Sequence, residues 1–275
     1  MTPVLEVEGL TVRYGRAADP AVRDVSLQLG PGEILGVVGE SGSGKTTLGL
    51  AALGLLPPYA RAEGSVSFEG RKLLELPQSQ LRSLRGDAIT TIMQNPSTAL
   101  NPCYTIGNQL GEVFRIHRQA SRKQAERQAV EWLSRVGIAD PEARLRAYPH
   151  ELSGGINQRI VIAMALALNP SLVVADEPTS ALDVTVQAGI LRLLRTLIEE
   201  SASALLLITH DLGVVAQLSS RVIVMRQGGI VEEGAVDQIF AAPRHEYTRH
   251  LLASLPTRRM RVQIGQPAES AGRDD

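Results

Sequence analysis

A single cysteine, Cys103, stands among the 275 residues of the chain. One thiol excludes an internal disulfide and a four-cysteine iron–sulfur site, and it suits a reducing compartment. Aromatic residues make up only 3% of the sequence, which argues against a stacking platform for single-stranded nucleic acid. Neither sign of charge is in excess: 28 Lys and Arg stand against 29 Asp and Glu, a net −1 at pH 7. That balance creates no global field to draw the chain to nucleic acid or anionic lipid. Long apolar runs are also missing, and none approaches the ~20 residues that cross a bilayer. Any membrane role must therefore come through a partner. Met1 to Glu6 has neither the basic nor the apolar segment of a signal peptide, and no internal repeat is visible. Apolar residues, in contrast, reach 44%, ample for one large domain or two small ones.

The stretch Gly39-Glu40-Ser41-Gly42-Ser43-Gly44-Lys45-Thr46 fits the phosphate-binding loop pattern G-x-x-x-x-G-K-[ST]. An apolar run, Ile34 to Val38, leads in and reads as a buried strand. A helical pattern from Thr46 to Leu55 leads out. In that context the glycines turn backbone N–H groups inward, and the helix N-terminus adds partial positive charge. Lys45 would reach the β- and γ-phosphates, and the Thr46 hydroxyl would ligate Mg²⁺.

Before the loop, residues 4–14 and 21–29 read as strands, joined by a loop at 16–20. Residues 64–70 (GSVSFEG) read as another. The expectation is an antiparallel β layer, about 1–33 and 62–70, wrapped around a parallel strand and its helix. Residues 89–93 form a short strand ending at Gln94. Asn95-Pro96 and Asn101-Pro102 then break the pattern. A helical subdomain follows at about 96–165. Within it Ser121 and Gln124 form a capping box, Ala125, Ala129, Trp132, Leu133 and Val136 share one face, and Gly137 stands at the stop. Residues 171–176 and 204–209 read as central parallel strands, and 222–225 with 230–233 as a hairpin. Beyond residue 257 the chain turns polar and is expected to be disordered. Its Arg258-Arg259-Met260-Arg261 run reads as a solvated basic stretch rather than a phospholipid contact.

Two further segments carry chemistry. Asp176 closes an apolar strand and can hold a cation that bridges phosphates. Glu177, next to it, would face the γ-phosphate and polarise the attacking water. In Leu152-Ser153-Gly154-Gly155, Ser153 is a candidate helix N-cap, and the glycines leave the first N–H groups open for an anion. One chain then carries a phosphate loop and a second anion site. The two reconcile if the second serves a nucleotide held by another subunit.

The phosphate loop, Gln94, LSGG at 152–155, Asp176-Glu177, Ser180-Ala181-Leu182-Asp183 and His210 occur in this order. That ordered set resembles an ABC transporter ATP-binding subunit over about residues 4–255. The resemblance implies an α/β fold: a P-loop NTPase core with a mostly parallel sheet, an antiparallel β subdomain and a helical subdomain, within one domain at 1–257. It implies ATP and Mg²⁺ as ligands. Tyr14 would stack on adenine. Gly39, Ser41, Gly42, Ser43, Gly44, Lys45, Thr46 and Thr47 would bind phosphates. Thr46, Gln94 and Asp176 would serve Mg²⁺, and Glu177 would activate water, with Gln94 and His210 assisting. Ser153, Gly154 and Gly155 would contact the γ-phosphate of the opposite subunit, and Asp183 would help join the pair. Two positions depart from the pattern: Ile156 stands where many relatives have glutamine, and Asn95 replaces an acidic residue.

Met93-Gln94-Asn95-Pro96, Leu84-Arg85-Gly86, Tyr148-Pro149-His150-Glu151 and His245-Glu246-Tyr247-Thr248 are similar to the peptide/nickel importer branch, D type. That branch implies a second ATP-binding subunit, either an F-type chain or another copy. It also implies two transmembrane permease subunits and an extracytoplasmic binding protein. The chain would sit peripherally on the cytoplasmic face of the cell membrane. An ABC exporter ATPase and a non-transport ABC ATPase are the rival readings. Leu100, Pro102, Tyr104 and Phe114 are candidates to line a groove for a short permease helix, and each could equally be core.

Overall fold

The computed structural model describes residues 2–16, 18–180 and 182–254. The expectations for the tail beyond residue 257, including the Arg258 to Arg261 run, lie outside the described residues. Strands β1 (Leu5–Tyr14), β2 (Val22–Leu29), β3 (Ile34–Val38), β4 (Ala60–Phe68), β5 (Arg71–Lys72), β6 (Ile89–Ile92), β7 (Leu172–Asp176), β8 (Ala204–Thr209), β9 (Arg221–Arg226) and β10 (Gly229–Ala235) form two sheets. The larger has the order β10-β9-β3-β8-β7-β6 and is parallel except for the β9–β10 hairpin.

The central strands are apolar on both faces because both faces are covered. Leu35, Val37, Leu172, Val174, Leu206 and Ile208 point into one core, shared with the antiparallel sheet. Val38, Val173, Ala175, Leu205 and Leu207 point into the other, shared with the helical region. The phosphate-loop helix α1 (Lys45–Ala52) lies on the first face. A Cβ at Gly49 would come within 2.6 Å of Ile208 Cδ1, so this glycine allows the helix to lie close on the sheet.

The smaller sheet runs β2-β1-β4-β5 and is antiparallel. Its β4 begins at Ala60, four residues earlier than residues 64–70 suggest, and ends at Phe68. Ala60 to Glu63 pair with Tyr14 to Thr11 beyond a register shift. Gly64 sits at that shift with φ +87°, where a Cβ would approach Gly9 O to 2.4 Å. The shift breaks the alternation on which the sequence reading relied.

Helix α2 (Gln78–Leu84) precedes β6 and has no counterpart in the sequence reading. The helical region comprises α3 (Pro96–Ala99), α4 (Ile106–Arg118), α5 (Arg122–Arg135), α6 (Pro141–Arg144) and α7 (Gly154–Leu166). The Ser121–Gln124 capping box forms as expected, and Gly137 adopts φ +72°. Ala125, Ala129, Trp132, Leu133 and Val136 are buried together. Leu100 and Phe114 join them, each 2% exposed, so these two groove candidates are core. The remaining helices among the described residues are α8 (Val184–Ser201), α9 (Leu212–Leu218), α10 (Val236–Ala241) and α11 (Glu246–Ala253).

Candidate functional site

Parallel pairing aligns the carboxyl ends of β3, β6, β7 and β8, where an open α/β sheet binds its ligands. Those ends lead into Gly39, Gln94, Glu177 and His210. A cavity of 440 Å³ there is lined by Ala21, Ser41 to Thr47, Gln94, Asp176, Glu177 and His210.

The loop's backbone is glycine-dependent at two positions. At Gly39 a Cβ would lie 2.2 Å from Met225 O, and at Gly44 it would lie 2.3 Å from Ala21 O. Lys45 folds back beneath the loop. Its Nζ donates to Gly39 O at 2.7 Å, Glu40 O at 2.8 Å and Ser43 Oγ at 3.3 Å. Burial lowers the Lys45 pKa, and the nearby Glu177, Asp176 and Glu40 oppose that shift. The ammonium is thus held close to the loop by carbonyls that phosphate oxygens can replace.

Glu177 has left-handed φ (+48°) and a side chain only 19% exposed. His210 Nδ1 lies 2.6 Å from its Oε1, and Gln94 Nε2 donates to its Oε2 at 3.2 Å. Both carboxylate oxygens are therefore oriented. Burial raises the pKa of Asp176, while the Thr46 hydroxyl beside it pulls the other way. A desolvated carboxyl, a threonine hydroxyl and the Gln94 amide are hard oxygen donors that fit Mg²⁺. Among the described residues no group of three His, Cys, Asp or Glu side chains could hold a metal.

Tyr14 stands beside this cavity. Its hydroxyl donates to Thr47 Oγ1 at 3.1 Å, and its ring lies 6.0 Å from Tyr59 at 51°. Ser153, Gly154, Gly155 and Asp183 are absent from the cavity lining. Ser153 Oγ accepts from Ile156 N at 3.4 Å and caps α7. Asp183 accepts from Val186 N at 3.0 Å and caps α8. Ser153, Gly154 and Asp183 are exposed.

Two contacts escaped the sequence reading. Gln158, fully buried in α7, donates through its amide to Pro178 O at 2.8 Å and ties the LSGG helix to the loop after Glu177. A polar residue within an apolar helix was the available signal. The second contact joins Glu40 N to the Tyr247 hydroxyl at 3.0 Å. Flanking β6, a second cavity of 290 Å³ is lined by Leu55, Thr90, Met93, Val113, His117 and Met164 among others. Pro102 and Tyr104 are exposed but do not line it.

The "ABC transporter" family model matches residues 22–180. The chain is 50% identical over 258 residues to "Peptidoglycan transport ATP-binding protein YejF" of Agrobacterium fabrum, covering 92% of this chain and 47% of that protein. It is 52% identical over 268 residues to "Probable peptide ABC transporter ATP-binding protein y4tR" of Sinorhizobium fredii, covering 96% of this chain and 80% of that protein. The chain thus spans about half the length of the first of these relatives. Among solved structures it is similar to the ATP-binding cassette MJ0796, a dimeric post-hydrolysis state bound to ADP and Pi. That likeness has a TM-score of 0.74 and 29% identity, and covers 84% of this chain and 98% of the other. Among the described residues, no helix is long and apolar enough to cross a membrane.

Proposed function

Because the chain belongs to the ABC transporter family, we propose that it is the ATP-hydrolysing subunit of a peptide importer. The observation that carries this reading is the Glu177 carboxylate, held between Gln94 and His210 over the phosphate loop. The name of the Sinorhizobium fredii relative, a probable peptide transporter protein, favours peptide cargo over nickel or metal chelates. Residues 1–257 would form one ATP-binding domain, with the antiparallel sheet and the α3–α7 region as its subdomains.

Tyr14 would hold the adenine, and the loop N–H groups with Lys45 would hold the phosphates. Lys45 would exchange its bonds to Gly39 O and Glu40 O for phosphate oxygens. Thr46, Asp176 and Gln94 would hold Mg²⁺, which when bound offsets phosphate charge. Glu177 takes a proton from the attacking water, and His210 keeps the carboxylate aimed. Ser153, Gly154 and Gly155 would close on a nucleotide held by a second ATP-binding subunit, with Asp183 at the same junction. Binding energy from that closure would drive the conformational change of two permease subunits. The cavity beside Met93 and Val113 would take a short permease helix, and the chain would sit peripherally at the cytoplasmic face of the membrane. An extracytoplasmic binding protein would deliver the peptide.

The test is ATPase activity of the purified membrane complex with its binding protein. Peptide-loaded binding protein should stimulate phosphate release, and nickel-chelate-loaded binding protein should not. Stimulation by the chelate alone would overturn the peptide assignment.

A further inference from the structure

The segment His245-Glu246-Tyr247-Thr248 marks a branch of the family in sequence, yet the chemistry above gives it no task. In the structure it begins α11. Tyr247 is 5% exposed, and its hydroxyl accepts the Glu40 amide at 3.0 Å. Glu40 is the second residue of the phosphate loop. Its carbonyl accepts from Lys45 Nζ at 2.8 Å, so the two sides of one residue are held by Tyr247 and by Lys45. The tyrosine is fixed in turn. The Arg226 guanidinium lies 4.8 Å over its ring. Its own amide donates to His245 Nδ1 at 3.1 Å. Glu232, on β10, accepts from Arg244 N at 2.7 Å and His245 N at 3.0 Å, which ties down the start of the helix.

We infer that Tyr247 is a positioning residue for nucleotide binding, its hydroxyl fixing the entry to the phosphate loop so that α11 sets the affinity for ATP. This rests on the reading that the loop binds ATP. The physical reason is pre-organisation. A loop that must present several N–H groups to phosphates binds more tightly when its entry peptide cannot rotate away. Without the hydroxyl, the Glu40 amide has lost its partner and the turn is free to relax.

The experiment measures ATP binding to the full chain by calorimetry, with the thermal midpoint recorded for each variant. Tyr247→Phe keeps the ring and its contact with Arg226, and removes only the acceptor. It should bind ATP about three- to tenfold more weakly, the size expected for one hydrogen bond. Glu232→Ala touches no part of the loop and should weaken binding in the same direction. The double variant should lose less than the product of the two effects, because both break one chain of contacts. A fully multiplicative loss overturns the coupling. Unchanged affinity in Tyr247→Phe overturns the inference, provided Lys45→Ala still weakens binding; the phosphate-loop reading then stands. If Lys45→Ala also binds ATP as the wild type does, that reading falls and the inference with it. Should Tyr247→Phe fail to fold, Glu232→Ala decides: unchanged ATP affinity there overturns the inference as well.

Discussion

The phosphate loop and the LSGG segment are both glycine-rich entries to a helix, yet the structure treats them differently. Around the loop, four parallel strand ends deliver Lys45, Gln94, Asp176, Glu177 and His210 to one cavity, where they already bond to each other or to the loop. Around Ser153 nothing comparable converges among the described residues. Its hydroxyl caps its own helix, and Ser153 and Gly154 face outward. A catalytic cluster assembled within one chain is recognisable by such mutual bonds. A half-site is recognisable by open N–H groups with no chemistry beside them. On the proposed function, the second is completed by the first of another subunit.

Removing the base from the complete site should have the largest effect. Glu177→Gln keeps the shape of the side chain and an oxygen for bonding, but cannot take a proton. Turnover should fall by ~10²–10⁴-fold, while ATP still binds and holds the pair closed. Phosphate release and size-exclusion chromatography with ATP read the two halves of that statement. Turnover at the wild-type rate would show that Glu177 is not the base.

The half-site that the proposed function assigns to LSGG can be broken without touching its own fold. Among the described residues, a Cβ at Gly154 meets Leu182 Cδ2 at 3.8 Å, an ordinary contact. At Gly155 it would lie 2.7 Å from Val186 Cγ1, so Gly155 serves packing as well. Gly154→Asp adds an acid to the first turn of α7, which the helix dipole favours. The thermal midpoint should hold or rise. The same charge would meet the γ-phosphate of the opposite subunit, and ATPase activity should drop on the order of a hundredfold. A variant that is stable, binds ATP and hydrolyses normally would dissolve the contrast between the two regions.

Much of this architecture was legible because short-range patterns carry it. The runs at 172–175 and 204–208 are apolar throughout since two cores claim alternate residues. The phosphate loop and the Ser121–Gln124 box are recognisable by residue spacing. What escaped depends on distant chain. Leu100 and Phe114 look like groove residues until α5 and α7 cover them. The start of β4 is hidden because Ala60 to Glu63 lie beyond a register shift that only β1 reveals. Tyr247 lies 207 residues from the amide it holds, and no local pattern announces that bond.

The smallest expected effect sharpens the comparison rather than breaking it. Ile156 follows the LSGG glycines, half-buried, with its backbone amide already given to Ser153 Oγ. Its side chain packs at the edge of the helical core. Resemblance to the family places a glutamine here, reaching the ribose across the interface. Ile156→Gln should add that polar contact while giving up part of the apolar burial. The gain is one hydrogen bond, worth about two- to fivefold in ATP-induced dimer formation. The loss falls within the folded chain and should lower the thermal midpoint slightly. The two readouts therefore move in opposite directions, as a residue serving the partner's nucleotide requires. If dimer formation weakens together with the midpoint, Ile156 acts only through packing, and the reach of the half-site ends at Gly155.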